Sequence, residues 1–258
     1  MKNILFKSLI FCVIGLVGCK SKQTTAVQKD GTTIEFNEKT FDPYFKGLGT
    51  EPFWNIEIDD YFIVYKDLEG NSEVFPVNRI DQAQDANVQR ITSENSRNQI
   101  LVTISKQSCS DGMSDNNYDF KIEIALSGKT IQLNEKGCGS FIVPKKLQAS
   151  WELTMFNGKE IAKNKYLKTP YLTFESKENR LSGNASCNGI NGRFFIQNKT
   201  LRFSQLATTR MMCVHENMEE AFLNELPKIT NYKVVNDELQ LFSGDELKMK
   251  MKKMGKAE

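Results

Sequence analysis

A single histidine in 258 residues, His215, limits the catalytic chemistry open to this chain. Cys–His and Ser–His pairs need that side chain, as do most zinc sites. With no histidine in the first half, a conventional triad there is excluded. His215 stands two residues after Cys213, where a helical pattern begins, so a surface or capping role is expected of it. The stretch CSDGMSDNNYD, residues 109–119, offers Asp111, Ser114, Asp115, Asn116, Asn117 and Asp119 as a possible oxygen cage for calcium. It lacks the alternating acids and distal bidentate glutamate of an EF-hand loop. The same residue types make a tight turn beside a disulfide, which is the favoured reading. Glu51 and Trp54, in GTEPFW, are expected beside Asp111, Ser114 and Asp115 if that loop binds anything, although core packing is the plainer role for Trp54. The 32 acidic residues supply many carboxylate pairs for glycoside hydrolysis, but nothing singles one out. No catalytic residue, metal or cofactor is assigned, and the chain is expected not to be an enzyme.

A second candidate is NASCNGINGRF, residues 184–194. Cys187 there could be a nucleophile, a metal ligand or half of a disulfide. Asn184, Asn188 and Asn191 could meet the polar edge of a ligand, or could serve left-handed turn positions beside Gly189 and Gly192. Turns are favoured, with Asn188 kept as a possible binding residue.

The N-terminus bears on the choice. MKNILFKSLIFCVIGLVGC opens with Lys2 and Lys7, continues as an apolar run and ends in a small residue before Cys19. This pattern is that of a secretory signal, too short for a comfortable membrane span. Leu16–Val17–Gly18–Cys19 resembles the bacterial lipobox, in which the cysteine is acylated and becomes the first residue. The resemblance implies a signal over 1–18, a lipid anchor at Cys19 and a polar tether to residue 33. More than one acyl chain anchors stably. Lys20 follows where an aspartate would be the familiar inner-membrane retention signal, so the expectation is the outer membrane, facing the periplasm.

Cys12 leaves with the signal and Cys19 takes lipid, so four of six cysteines remain: Cys109, Cys138, Cys187 and Cys213. Four cysteines allow three pairings. In an oxidising compartment the local one, Cys109 with Cys138 and Cys187 with Cys213, would staple each half separately. Loss of Lys2 and Lys7 takes 34 basic residues to 32, against 32 acids, so the mature chain is neutral and nucleic acid is not an expected partner.

The elements that position these residues read as strands. FWNIEI, FIVY, VFPV, ILVTI and DFKIEIAL alternate apolar and polar residues, and no segment before Pro144 has a 3.6-residue period. An antiparallel β domain is expected over 34–143, with PKKLQAS as a short boundary. Beyond it WELTMF, YLTFE, GRFFI and TLRFS continue as strands. ENMEEAFLNEL carries Met218, Phe222 and Leu226 at spacing four, which predicts one helix with acids in its first turns and Pro227 as its end. YKVV, ELQLF and ELKMKMK make a terminal meander whose lysine face is solvated. The fold class expected is mainly β: an antiparallel β domain, then antiparallel sheet with one helix.

Residues 147–253 resemble the META domain, the heat-shock HslJ type. The resemblance rests on WEL at Trp151, YLTF at Tyr171, LSGNASCNGINGRF, TTRMMC ending at Cys213, the helix with Glu220, Phe222 and Leu226, and ELQLF. Ser186 departs from it, since the family often has glycine there. The first half is similar to a bacterial lipoprotein domain often found beside META, on GTEPFW, CSDGMSD and GCG. Together these imply an envelope lipoprotein linked to stress or antibiotic tolerance, acting as a binding or scaffold module without catalysis. Its partner would be a protein or an apolar small molecule. Inhibition of an envelope hydrolase such as lysozyme, or carriage of an apolar ligand, are the alternatives.

Overall fold

The structure, a computed structural model, describes residues 35–36, 39–82, 88–129, 131–162, 165–204 and 206–255. The expected signal, Cys19 and the expected tether lie outside the described residues. Among those described no helix is long and apolar enough to cross a membrane. Met1–Thr40 is one unit, described as a hairpin of β1 (Glu35–Phe36) and β2 (Lys39–Thr40).

Phe41–Glu258 is the other unit and holds two antiparallel sheets. The first contains β3 (Phe45–Thr50), β4 (Phe53–Ile58), β5 (Phe62–Lys66), β6 (Ser72–Pro76), β7 (Arg79–Gln82), β8 (Val88–Glu94) and β9 (Asn98–Ser105). After a small hairpin, β10 (Cys109–Ser110) with β11 (Asn117–Tyr118), come β12 (Phe120–Gly128) and β13 (Gln132–Phe141). Their order is β6-β5-β4-β3-β13-β12-β9-β8-β7. Period-two alternation sends Trp54, Ile56 and Ile58, then Ile122, Ile124 and Leu126, into one core. The sheet curls until β6 approaches β8, where side chains rather than a ladder bridge the gap. Ser93 Oγ donates to the Pro76 carbonyl, Asn95 Nδ2 to the Val74 carbonyl at 3.2 Å, and Asn98 Nδ2 to the Glu73 carboxylate at 2.8 Å.

The second sheet runs through β14 (Ser150–Phe156), β15 (Lys159–Glu160), β16 (Tyr171–Glu175), β17 (Arg180–Asn184), β18 (Gly189–Gln197), β19 (Thr200–Phe203) and β20 (Ala207–Thr208). Helix α1 (Glu219–Glu225) precedes β21 (Asn231–Val235), β22 (Glu238–Ser243) and β23 (Glu246–Lys253). Because β23 pairs with β14 as well as β22, this sheet is a closed barrel. The lysine-rich terminal strand explains the closure. Met249 and Met251 are wholly buried inside, while Lys250 and Lys252 face out. Phe222 from the helix and Leu226 just after it belong to the same core.

The helix starts later than its apolar spacing predicts. Asn217 Oδ1 accepts the Glu219 N–H at 3.1 Å, so regular structure begins there and His215 and Glu216 remain in the preceding loop. Pro227 does not end the helix abruptly but sits in a 3-10 turn, Leu226–Lys228, where its missing N–H costs nothing.

The boundary segment after Pro144 is tied down on both sides. Asp42 accepts the backbone N–H groups of Lys145 at 2.6 Å and Lys146 at 2.9 Å, and Lys146 Nζ reaches Asp60 at 3.2 Å. Trp151 Nε1 donates back to the Leu147 carbonyl at 3.0 Å. Phe41–Glu258 is one compact unit in which each sheet has its own core.

Candidate functional site

The GTEPFW, CSDGMSD and GCG stretches meet at one corner of the first sheet. Thr50 Oγ1 donates to the Asp111 carbonyl at 3.1 Å, and the Cys109–Cys138 disulfide links the loop to β13. Glu51, next to Thr50 at a cis bond to Pro52, is exposed, whereas Trp54 is buried to 1%. The two glycines explain why. A Cβ on Gly49 would collide with the Trp54 indole, and one on Gly137 would lie 2.8 Å from its Cζ2, so the ring packs against bare backbone. Trp54 is therefore a core residue, with Tyr65 at a ring distance of 6.4 Å.

Asp111 is fully engaged inside its own loop. Its carboxylate accepts from Met113 N at 3.1 Å, Ser114 N at 2.8 Å, Ser114 Oγ at 2.6 Å and Tyr118 OH at 3.3 Å. The Ser114 hydroxyl, then the Ser114 and Met113 N–H groups, hold this carboxyl down at about 2. Ser114 and Asp115 are exposed on the loop's rim. The Asp111 carboxylate is thus occupied by donors of its own loop, which it pins as a turn.

Two buried phenols and a buried carboxyl are also perturbed. Burial, ahead of nearby Asp60, pushes the Tyr44 and Tyr232 phenols up, away from any working range. Burial also raises Asp59, whose carboxylate takes the N–H groups of Asp42, Tyr61 and Phe62.

The densest polar cluster surrounds Cys187–Cys213, whose Cα atoms are 6.0 Å apart. Asn188, only 3% exposed, is its hub. Its Oδ1 accepts from Thr209 Oγ1 and from Met211 N, each at 2.7 Å, and its Nδ2 donates to the Met211 carbonyl at 3.3 Å. Glu219, at the first turn of α1, takes Asn188 N at 2.6 Å and Nδ2 at 3.1 Å. Both sulfurs lie with a Glu219 oxygen within 4.8 Å of one another, but they are bonded together and offer no thiolate to a metal.

The asparagines do not occupy left-handed positions. That conformation belongs to Ser186, with φ 91°, held by Asn184 Oδ1 on its N–H at 2.9 Å and by its own hydroxyl on the Lys168 carbonyl at 3.0 Å. Polarity suggested the asparagines, but their side chains close the turn instead of occupying its strained residue.

What this scaffold presents was not singled out in the sequence. The strap after β20, anchored by Asn188 and the disulfide, turns apolar side chains outward: Met212 is 88% and Val214 75% exposed. Leu167, 76% exposed, joins them across a cleft of about 280 Å³. The MM pair in TTRMMC was the available signal, read there only as part of a motif.

A closed antiparallel barrel containing one helix, with its loops stapled by a disulfide, defines this half as a small β-barrel module. Residues 145–254 match the family model of the META domain. A solved structure titled "NMR structure of the protein" is 24% identical, covering 41% of this chain and 89% of that chain, with a TM-score of 0.33. Among curated proteins the chain has no match.

Proposed function

We propose that this chain is a non-catalytic binding or scaffold module of the bacterial envelope, lipid-anchored through Cys19 at the periplasmic side of the outer membrane and contributing to tolerance of envelope stress or antibiotics. The observation that supports it is the outward Met212 and Val214, on a strap that a disulfide and Asn188 tie down, with outward Leu167 across the cleft from them. Apolar side chains fixed in water gain free energy when covered, and fixing them beforehand lowers the ordering cost of binding. The META domain match and the lipobox-like N-terminus agree with this reading.

The experiment is genetic. Deletion should sensitise cells to envelope stress, wild-type chain should restore tolerance, and Met212→Asp with Val214→Asp should fail to restore it while accumulating normally. Full rescue by that double variant would sink the reading.

A second reading, inhibition of an envelope hydrolase such as lysozyme, draws on the pinned loop around Asp111, which holds Met113 66% exposed. An inhibition assay tests it directly. Carriage of an apolar ligand finds no support in the barrel. Trp151, Leu172, Leu181, Leu239, Met249 and Met251 are inaccessible to water, as expected where a barrel of this size is filled by its own side chains.

A further inference from the structure

We propose that the face formed by Leu167, Met212 and Val214 docks onto an anionic lipid bilayer, an inference that rests on the binding-module reading and names the surface it binds. Charge carries the choice of occupant. Lys165 is spent on Glu216 at 3.7 Å, but Lys168 and Arg210 are exposed and form no ion pair among the described residues. Lys168 is adjacent to Leu167, and its carbonyl is held by Ser186 beside the disulfide. Arg210 lies between Thr209 and Met211, both fixed to Asn188. Lys168 thus lines the same cleft as the three outward apolar side chains, and Arg210 stands on the strap two residues before Met212, neither with an ion-pair partner among the described residues.

A bilayer interface suits this arrangement in two ways. Methionine, leucine and valine can enter the acyl boundary while neighbouring lysine and arginine keep their charged ends at the headgroups. Anionic headgroups also attract each nearby cation, strengthening binding about five-fold per residue, so two give roughly a 30-fold preference for anionic over neutral lipid. A purely apolar protein groove would leave both cations unmatched.

The test uses residues 20–258, which lack the acylation site, and sedimentation with vesicles of phosphatidylcholine alone or with a quarter phosphatidylglycerol. Binding should be on the order of 30-fold tighter to the anionic vesicles and should weaken as salt rises. Met212→Asp with Val214→Asp should remove binding to both. Lys168→Gln with Arg210→Gln should remove only the preference. Thermal melts should show each variant folded. Equal binding to both vesicles, binding to neither, or unchanged binding by the variants would overturn the lipid surface. If vesicle binding fails while Met212→Asp with Val214→Asp still loses stress tolerance in cells, the binding module stands and its partner is a protein. If both fail, both readings fall.

Discussion

Asn188 and Glu219 form a two-point clasp between the turn after β17 and the start of helix α1, through Asn188 N on Oε2 at 2.6 Å and Nδ2 on Oε1 at 3.1 Å. Asn188 also holds Thr209 and Met211, so one buried side chain joins turn, strap and helix. Asn188→Ala would leave the Met211 N–H and a Glu219 oxygen without partners. Losing buried partners of this kind costs about 2–4 kcal/mol in total. Urea denaturation should show that loss, and a change under about 1 kcal/mol would mean the clasp is not a structural hub.

Packing of Trp54 on Gly49 and Gly137 predicts an intolerance to the smallest side chain. Gly49→Ala forces a methyl into the indole and should destabilise by about 1–3 kcal/mol, with a shift in tryptophan emission. Gly112, where an added Cβ meets nothing within 4 Å, is a control for space but not for backbone, since its φ is 72°. A wild-type melting curve for Gly49→Ala would contradict the stacking.

Ser186 should prefer glycine to alanine. Its φ of 91° strains any side chain, while its hydroxyl contributes one hydrogen bond to Lys168. Ser186→Ala loses the bond and keeps the strain, whereas Ser186→Gly loses the bond and relieves the strain. The glycine variant is therefore expected to be more stable than the alanine one by about 1 kcal/mol or more. Equal melting temperatures would deny the strain.

Asp111 should titrate at about 2 in the folded protein, below its ordinary carboxylate value, because donors from Ser114, Met113 and Tyr118 favour the charged form. Its folded value is depressed, so its contribution is present above the unfolded value near 4 and is lost as pH falls towards 2. Ser114→Ala removes the largest cause and should raise the midpoint, read by carboxyl-carbon NMR. An unmoved midpoint would show that the loop does not hold the carboxylate.

The disulfides predict a thiol count. Unreduced, denatured protein should show no free thiol at Cys109, Cys138, Cys187 or Cys213. Paired Cys187→Ser and Cys213→Ser should cost roughly 3–4 kcal/mol for a loop of this size. Quantitative labelling of Cys187 would overturn the pairing.

The sequence by itself determined what depends on period and on neighbouring residues. Alternation marked the strands, the acidic amphipathic run marked helix α1, and the order of motifs marked the likeness to the META domain. Sequential cysteine pairs gave the disulfides, since a closed local loop needs no distant information. Tertiary structure alone decided matters between distant residues: that β23 closes on β14, that Asp42 holds the segment after Pro144, and that Trp54 needs glycines on two other strands. It also decided the site. Met212 and Val214 would be core residues by type, and only the anchoring of their strap by Asn188 and Cys213 turns them outward, where they can meet a partner.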